Sequence, residues 1–182
     1  SFLQLDSVLK RNLQKLKDLP DFEDYSMKGR TYRYIESAPL YPFGYGLSYT
    51  TFEIKQNVFE VVDDKIEATL TVTNTGKYSG KEVVMLYYSA PNGLLGKPSK
   101  ELGAFIKTSL LAPGQSEEVK LVLNISDMAS YDDLGKVTKS AWILEKGVYE
   151  FYIGNCVRCL TKVDFKYELS DNKVVCQFPD LP

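Results

Sequence analysis

Hydrophobic and polar positions change rhythm twice along this chain. Leu5, Val8, Leu9, Leu13 and Leu16 recur near an i, i+3, i+4 spacing with Lys, Arg, Gln and Asn between them. That stripe predicts an amphipathic helix over residues 1–19, ended by Pro20, which disfavours helical geometry in the residue before it. Such a helix covers a core, and its basic face is too thin for a membrane-surface role. Residues 20–51 have no period and are rich in aromatic and turn residues, apart from an alternation over residues 31–35 that predicts a short strand. A stretch of this length without regular structure does not suit the inside of one compact domain. It reads as a linker, a strap between two bodies.

From Phe52 the pattern becomes strand after strand. Phe52–Val62 alternates around Ile54, Val58 and Val61, and Lys65–Asn74 sets Ile66, Ala68, Leu70 and Val72 against Glu67, Thr69, Thr71 and Thr73. That period of two belongs to a sheet with one wet face. Asn74-Thr75-Gly76 supplies turn chemistry. Residues 82–90 are more continuously apolar, as a central strand would be, and Pro91-Asn92-Gly93 stops them. Further strands are predicted over 104–111, 117–125, 140–144, Gly147–Gly154 and 163–169, with a helical turn over 126–131. Short strands punctuated by Gly and Pro predict an antiparallel β-sandwich. All three cysteines lie after residue 155, which excludes the immunoglobulin type with an inter-sheet disulfide. A fibronectin type III-like sandwich held by packing is left, spanning 52–170, with 171–182 as a tail.

Composition narrows the chemistry. The 22 Lys and Arg are interleaved with 24 Asp and Glu for a net charge of -2, so no field draws nucleic acid or an acidic membrane. No stretch reaches the ~20 apolar residues of a membrane helix. There is no histidine, which removes Ser-His-Asp and Cys-His catalysis and imidazole-held zinc from these residues. Cys156 and Cys159 form a Cys-x-x-Cys spacing, but one pair lacks two further zinc ligands. The pair follows a strand-like run, so it is expected as buried or half-buried strand thiols rather than a redox or metal site. Ser1 stands where an initiator Met would, and the expectation is a processed, trimmed or cloned piece whose compartment is unreadable.

Glycoside hydrolysis needs two carboxyl groups facing one bond, ~5–5.5 Å apart for retention and ~6.5–9.5 Å for inversion. Candidate pairs are Glu23-Asp24, Asp63-Asp64, Glu117-Glu118 and Asp132-Asp133. Neighbours on a strand point to opposite faces, so Glu117 and Glu118 cannot converge. Asp63-Asp64 and Asp132-Asp133 fall in predicted turns, where carboxylates cap amides. No acidic loop suits calcium, and Gly93-Leu94-Leu95-Gly96-Lys97 lacks the spacing of a nucleotide site. The residues yield no catalytic, cofactor-binding or metal-binding assignment. Trp142, Tyr149, Phe151 and Tyr152 are expected in the core, with sugar stacking as the other reading.

The run Tyr41-Pro42-Phe43-Gly44-Tyr45-Gly46-Leu47-Ser48-Tyr49-Thr50 packs four aromatics, two glycines and a proline into ten residues. It reads either as a turn clamped at a domain junction or as a loop lined with core rings. The string resembles the junction into the C-terminal fibronectin type III-like domain of glycoside hydrolase family 3, the β-glucosidases and β-xylosidases. The resemblance covers residues 19–154, about three-quarters of the chain. It extends through Leu19-Pro20-Asp21-Phe22-Glu23-Asp24-Tyr25-Ser26-Met27, Gly29-Arg30-Thr31-Tyr32-Arg33-Tyr34, Val72-Thr73-Asn74-Thr75-Gly76 and Gly80-Lys81-Glu82-Val83-Val84. It continues in Lys97-Pro98-Ser99-Lys100-Glu101-Leu102, Leu111-Ala112-Pro113-Gly114-Gln115, Gly147-Val148-Tyr149 and Ile153-Gly154. Residues 1–17 and Cys156-Val157-Arg158-Cys159 depart from it. The resemblance implies a retaining exo-glycosidase with a (β/α)8 barrel, an α/β sandwich and this domain. The nucleophilic Asp and the acid/base Glu belong to the first two, and no position here matches either motif. The implied partners are those two domains, and the implied role is non-catalytic support. The alternative is a free-standing sandwich that binds carbohydrate or a protein.

Overall fold

The computed structural model describes residues 31–34 and 38–179. The predicted helix over 1–19 and the acidic pair Glu23-Asp24 lie outside the described residues. Residues 1–38 form a unit separate from 39–182. Within the first, residues 31–34 make one helical turn, α1 (Thr31–Tyr34), with the Arg33 guanidinium 5.9 Å from the Tyr32 ring centre. The expected strand at 31–35 is therefore wrong. A strand needs a ladder partner for its amides, and no described strand pairs with this segment.

The second unit is an antiparallel sandwich. One sheet runs β1 (Phe52–Val62), β2 (Lys65–Asn74), β5 (Ser116–Asn124), in that order. The facing sheet has the order β4-β3-β8-β9, from β3 (Val83–Ser89), β4 (Glu101–Lys107), β8 (Gly147–Gly154) and β9 (Leu160–Leu169). A third, small sheet places β7 (Ala141–Leu144) between β6 (Ser130–Asp132) and β10 (Lys173–Gln177). Strand structure thus reaches past residue 170 into the segment read as a tail. The expected turn over 126–131 forms as a 3-10 turn at Ile125–Met128.

The core is the inner face of the first two sheets. Ile66, Ala68, Leu70 and Val72 of β2 meet Val84, Leu86 and Tyr88 of β3, with Tyr149 and Phe151 of β8. The alternation of β2 is reproduced residue by residue, buried then half-buried. β1 differs. Its pairing with β2 slips between Gln56 and Val58, a bulge that leaves Asn57 out of register. One extra residue reverses which side chains face inward. Ile54 packs inward before the slip and Phe59 after it, while Val58 and Val61, expected inside, are exposed. β3 is buried on both faces, as a central strand should be.

The β1–β2 hairpin closes through Asp63 and Asp64, at φ 47° and 60°, between the paired Val62 and Lys65. Two central residues at positive φ make a two-residue primed turn, for which Asn-Gly is the preferred pair. Replacing Asp63-Asp64 by Asn-Gly is expected to stabilise the chain by about 0.5–1 kcal/mol, the left-handed penalty outweighing glycine's entropy. A midpoint shift in urea unfolding with unchanged slope checks it; no shift, or a loss, refutes it.

Candidate docking surface

The acidic pairs do not converge. Asp63 and Asp64 sit at the hairpin tip. Glu117 accepts from the Ser109 amide and hydroxyl at 2.8 and 2.9 Å, whereas Glu118 faces the other way to Asn57 Nδ2 at 3.3 Å. Asp132 is fully buried and accepts from the amides of Lys136, Val137 and Thr138 at 3.0, 2.7 and 3.0 Å. Burial pushes its carboxyl up, but the amide bonds outweigh it and hold the pKa below the ordinary value. This is a loop cap, as expected of that pair. Among the described residues no cluster of three or more Asp, Glu, Cys or His could hold a metal ion, and no helix is long and apolar enough to cross a membrane.

Two features were not visible in the sequence. Glu145, at the end of β7, is buried and accepts from the amides of Leu94 and Leu95 at 2.6 and 3.3 Å. The glycine-bearing loop 93–97 therefore spends its amides on a carboxylate of its own chain. A Cβ at Gly93 would sit 2.6 Å from the Glu145 carboxyl carbon, so any larger residue there would push the carboxylate from its place under the loop. Beside it, Lys97 Nζ lies 3.6 Å from Glu145 Oε2, with both side chains 3% exposed. Trp142 is the second feature. It was expected in the core, yet it is 42% exposed and lies against Tyr131 at 5.5 Å and a 56° tilt. β7 alternates, so Ala141 and Ile143 take the inner face and Trp142 the outer. Tyr149 and Phe151 are buried as expected, and Tyr152 is half-buried.

Among the described residues the largest run of exposed apolar side chains is residues 40–49. Leu40, Tyr41, Phe43, Tyr45, Leu47 and Tyr49 are all exposed, Leu47 at 90% and Tyr49 at 96%. Their backbone is nevertheless held in place. The Tyr45 amide donates to the Pro42 carbonyl at 2.9 Å, closing a turn around Gly44 at φ 80°. A Cβ on Gly44 would lie 2.9 Å from the Asn155 carbonyl oxygen and 2.9 Å from the Cys156 Cα, so the turn sits directly on the β8–β9 connection. That connection grips it with two more bonds. The Val157 amide donates to the Phe43 carbonyl at 3.0 Å, and Arg158 Nη2 donates to the Pro39 carbonyl at 2.7 Å.

At the far end Thr50 is buried and donates to Asn74 Oδ1 at 2.6 Å. Between the two anchors Tyr41 and Tyr45 lie 5.1 Å apart. Tyr49, with Tyr78 and Gly76, lines a depression of about 370 Å³. Apolar rings turned outward from a backbone fastened at both ends form an exposed apolar patch, the kind of surface at which partners bind. The segment is a clamped turn, not a loop lined with core rings.

Comparison with known proteins points the same way. Residues 82–156 match the family described as fibronectin type III-like domain. The chain is 52% identical over 167 residues to β-glucosidase A of Butyrivibrio fibrisolvens, covering 80% of this chain and 20% of that protein. It is 42% identical over 121 residues to a xylan 1,4-β-xylosidase of Xylanibacter ruminicola, covering 64% of this chain and 13% of the relative. Among solved structures, a β-glucosidase from Paenibacillus barengoltzii superposes with a TM-score of 0.81 at 42% identity, over 90% of this chain and 20% of that one. The chain spans about a fifth or less of the length of these relatives.

Proposed function

We propose, from the premise that this chain belongs to the C-terminal, fibronectin type III-like region of glycoside hydrolase family 3, that it is the accessory part of an enzyme hydrolysing β-glucosides or β-xylosides. In this reading residues 20–51 are the strap from the preceding α/β domain and residues 52–170 the sandwich. No residue of the chain takes part in the chemistry. The partners are the barrel and α/β domains of the same protein, and the contact is the aromatic leader 40–49.

The single observation that carries the reading is the leader's geometry. Six large apolar side chains face outward while their backbone is bonded to the β8–β9 connection at one end and to Asn74 at the other. A surface meant for water would not spend aromatic area in this way. A second reading, contact with a sugar, rests on the exposed Tyr131 and Trp142 pair. Their 56° tilt does not form a flat stacking platform, which keeps it behind the first.

The test is complementation. The Butyrivibrio fibrisolvens relative, cut before the region this chain matches, is mixed with the full chain, and turnover of an aryl β-glucoside is followed during mild heating. The wild-type chain is expected to bind and protect the truncated enzyme, while showing no turnover by itself. Leu47→Asp with Tyr49→Asp is expected to weaken that association by tenfold or more, since burying each such side chain stabilises by about 1.5–3 kcal/mol. Equal protection by wild type and variant, or turnover by the chain alone, would refute the proposal.

A further inference from the structure

The leader's anchor contains the two cysteines of the Cys-x-x-Cys spacing, and the structure moves them off the strands where they were expected. They occupy the turn between β8 and β9, Cys156 buried and Cys159 exposed, both free thiols. The Cys159 amide donates to the Cys156 carbonyl at 3.0 Å, which closes a four-residue β-turn. Such a turn brings its first and last Cα within 7 Å, and disulfides span Cα separations of about 4.4–6.8 Å. Cys176 stands apart on β10, opposite Trp142.

We propose that Cys156 and Cys159 are a modification site, a vicinal dithiol that closes to an intra-turn disulfide by exchange with a small-molecule disulfide, and that closure stiffens the turn holding the aromatic leader. The exposed Cys159 thiolate attacks one sulfur of the oxidant, forming a mixed disulfide and releasing one thiol. The Cys156 thiolate then attacks the Cys159 sulfur and releases the second thiol. Two electrons pass from the dithiol to the oxidant, and the two protons end on the released thiols. Cys156 lies beneath the turn and is shielded from outside reagents, which suits it to the resolving step.

The Cys159 thiol is held above its ordinary pKa, first by a side-chain hydrogen bond with Cys156, then by burial and by the charge of Cys156. Few thiolates form at neutral pH, so exchange is slow and follows the surrounding redox balance rather than catalysing anything. The same four residues grip the leader. Val157 and Arg158, the two donors to the leader's carbonyls, lie between the cysteines, and Gly44 packs on the Cys156 backbone. This inference stands on the turn alone and does not need the parent enzyme.

The full chain is equilibrated in mixtures of reduced and oxidised glutathione, quenched in acid, alkylated and mapped by mass. The reduced chain is expected to take three labels; on oxidation Cys156 and Cys159 are expected to lose theirs together with no added glutathione, while Cys176, exposed and without a neighbouring thiol, keeps its label or carries glutathione. Cys156→Ser is expected to trap glutathione on Cys159, because nothing resolves the mixed disulfide. Phenylarsine oxide, which bridges neighbouring thiols, is expected to be retained by the reduced chain and lost in Cys156→Ser or Cys159→Ser. Hydrogen exchange at the Val157 and Tyr45 amides should slow on oxidation. Loss of the Cys156 or the Cys159 label without the other, a persistent glutathione adduct on either of the two in the unmutated chain, or pairing with Cys176 would overturn the site. Unchanged exchange at both amides would overturn its link to the leader.

Discussion

Glu145→Ala is expected to destabilise the chain by about 3 kcal/mol or more, and Lys97→Met by no more than about 1 kcal/mol, although the two side chains form one buried pair. The asymmetry follows from what each group keeps when its partner is gone. Without Lys97, Glu145 still accepts from the Leu94 and Leu95 amides. Lys97 Nζ has no hydrogen-bond partner even beside Glu145, so without Glu145 the buried amine also loses the carboxylate 3.6 Å away, and two amides lose their acceptor. Desolvation lowers the Lys97 pKa from 10.5 despite the charges of Glu145 and Glu101, so burial already costs this amine more than the pair returns.

The pH dependence has a definite sign. A lysine whose folded pKa is below its unfolded one binds fewer protons in the native state, so stability rises with pH between the two values. Removing the charge of Glu145 lowers the folded value further and widens that window toward neutral pH. Glu145→Ala should therefore recover stability as pH rises toward 10, and Lys97→Met should abolish the recovery. The measurement stays below pH 10, because burial and then the Glu145 charge push the Tyr149 hydroxyl up to about 12. Its contribution is complete below 10.0 and lost as pH climbs through about 12, which would mask the lysine. Urea unfolding of both single variants and the Lys97→Met/Glu145→Ala double variant decides the matter. Equal single costs, or a double variant equal to their sum, would refute it.

The buried pair also shows where reading the sequence runs out. Alternation exposes a strand when each residue's polarity matches its face, and β2 does this at every position before Asn74, so its bounds and inner face were legible. β1 reads equally well, but a bulge at Asn57 has no polarity signature, and beyond it Phe59 packs inward while Val58, expected inside, is exposed. Glu145 and Lys97 read as surface charges because nothing local says that a loop fifty residues earlier folds over one of them. Trp142 fails for the opposite reason. It is large and apolar in a four-residue strand, and only the pairing of Tyr131 with Trp142 in the small sheet shows which way it faces. The docking surface was legible as a composition of rings and hinges. That its rings face out rather than in depends on two anchors remote in sequence, at Asn74 and at the β8–β9 turn.

Asn74→Leu is expected to cost about 3 kcal/mol, read as a fall of roughly 6–12 °C in melting temperature for a chain of this size. Asn74 ends β2 fully buried, and its amide uses all four of its bonding positions. Nδ2 donates to the Tyr78 and Leu111 carbonyls, both at 2.8 Å, while Oδ1 accepts from Thr50 Oγ1 at 2.6 Å and from the Gly76 amide at 3.0 Å. One side chain thus joins the leader's exit, the turn after β2 and the Gly80–Leu111 bridge. Leucine fills the volume but takes a partner from four polar groups, of which the Leu111 carbonyl keeps the Gly80 amide; each group left with none costs of order 1 kcal/mol or more where water cannot reach. Aspartate is the sharper probe. It can accept from Thr50 and Gly76 but presents only oxygen to two carbonyls, so Asn74→Asp is expected to cost at least as much as leucine. Thr50→Val removes one donor without changing shape and should cost about 1 kcal/mol. Because Thr50 is the residue by which the leader enters the sandwich, that variant should also speed hydrogen exchange in residues 48–51 while leaving β8 unchanged. An Asn74→Asp variant as stable as the parent chain would mean the amide's two donated bonds contribute nothing, and the leader would need a different anchor.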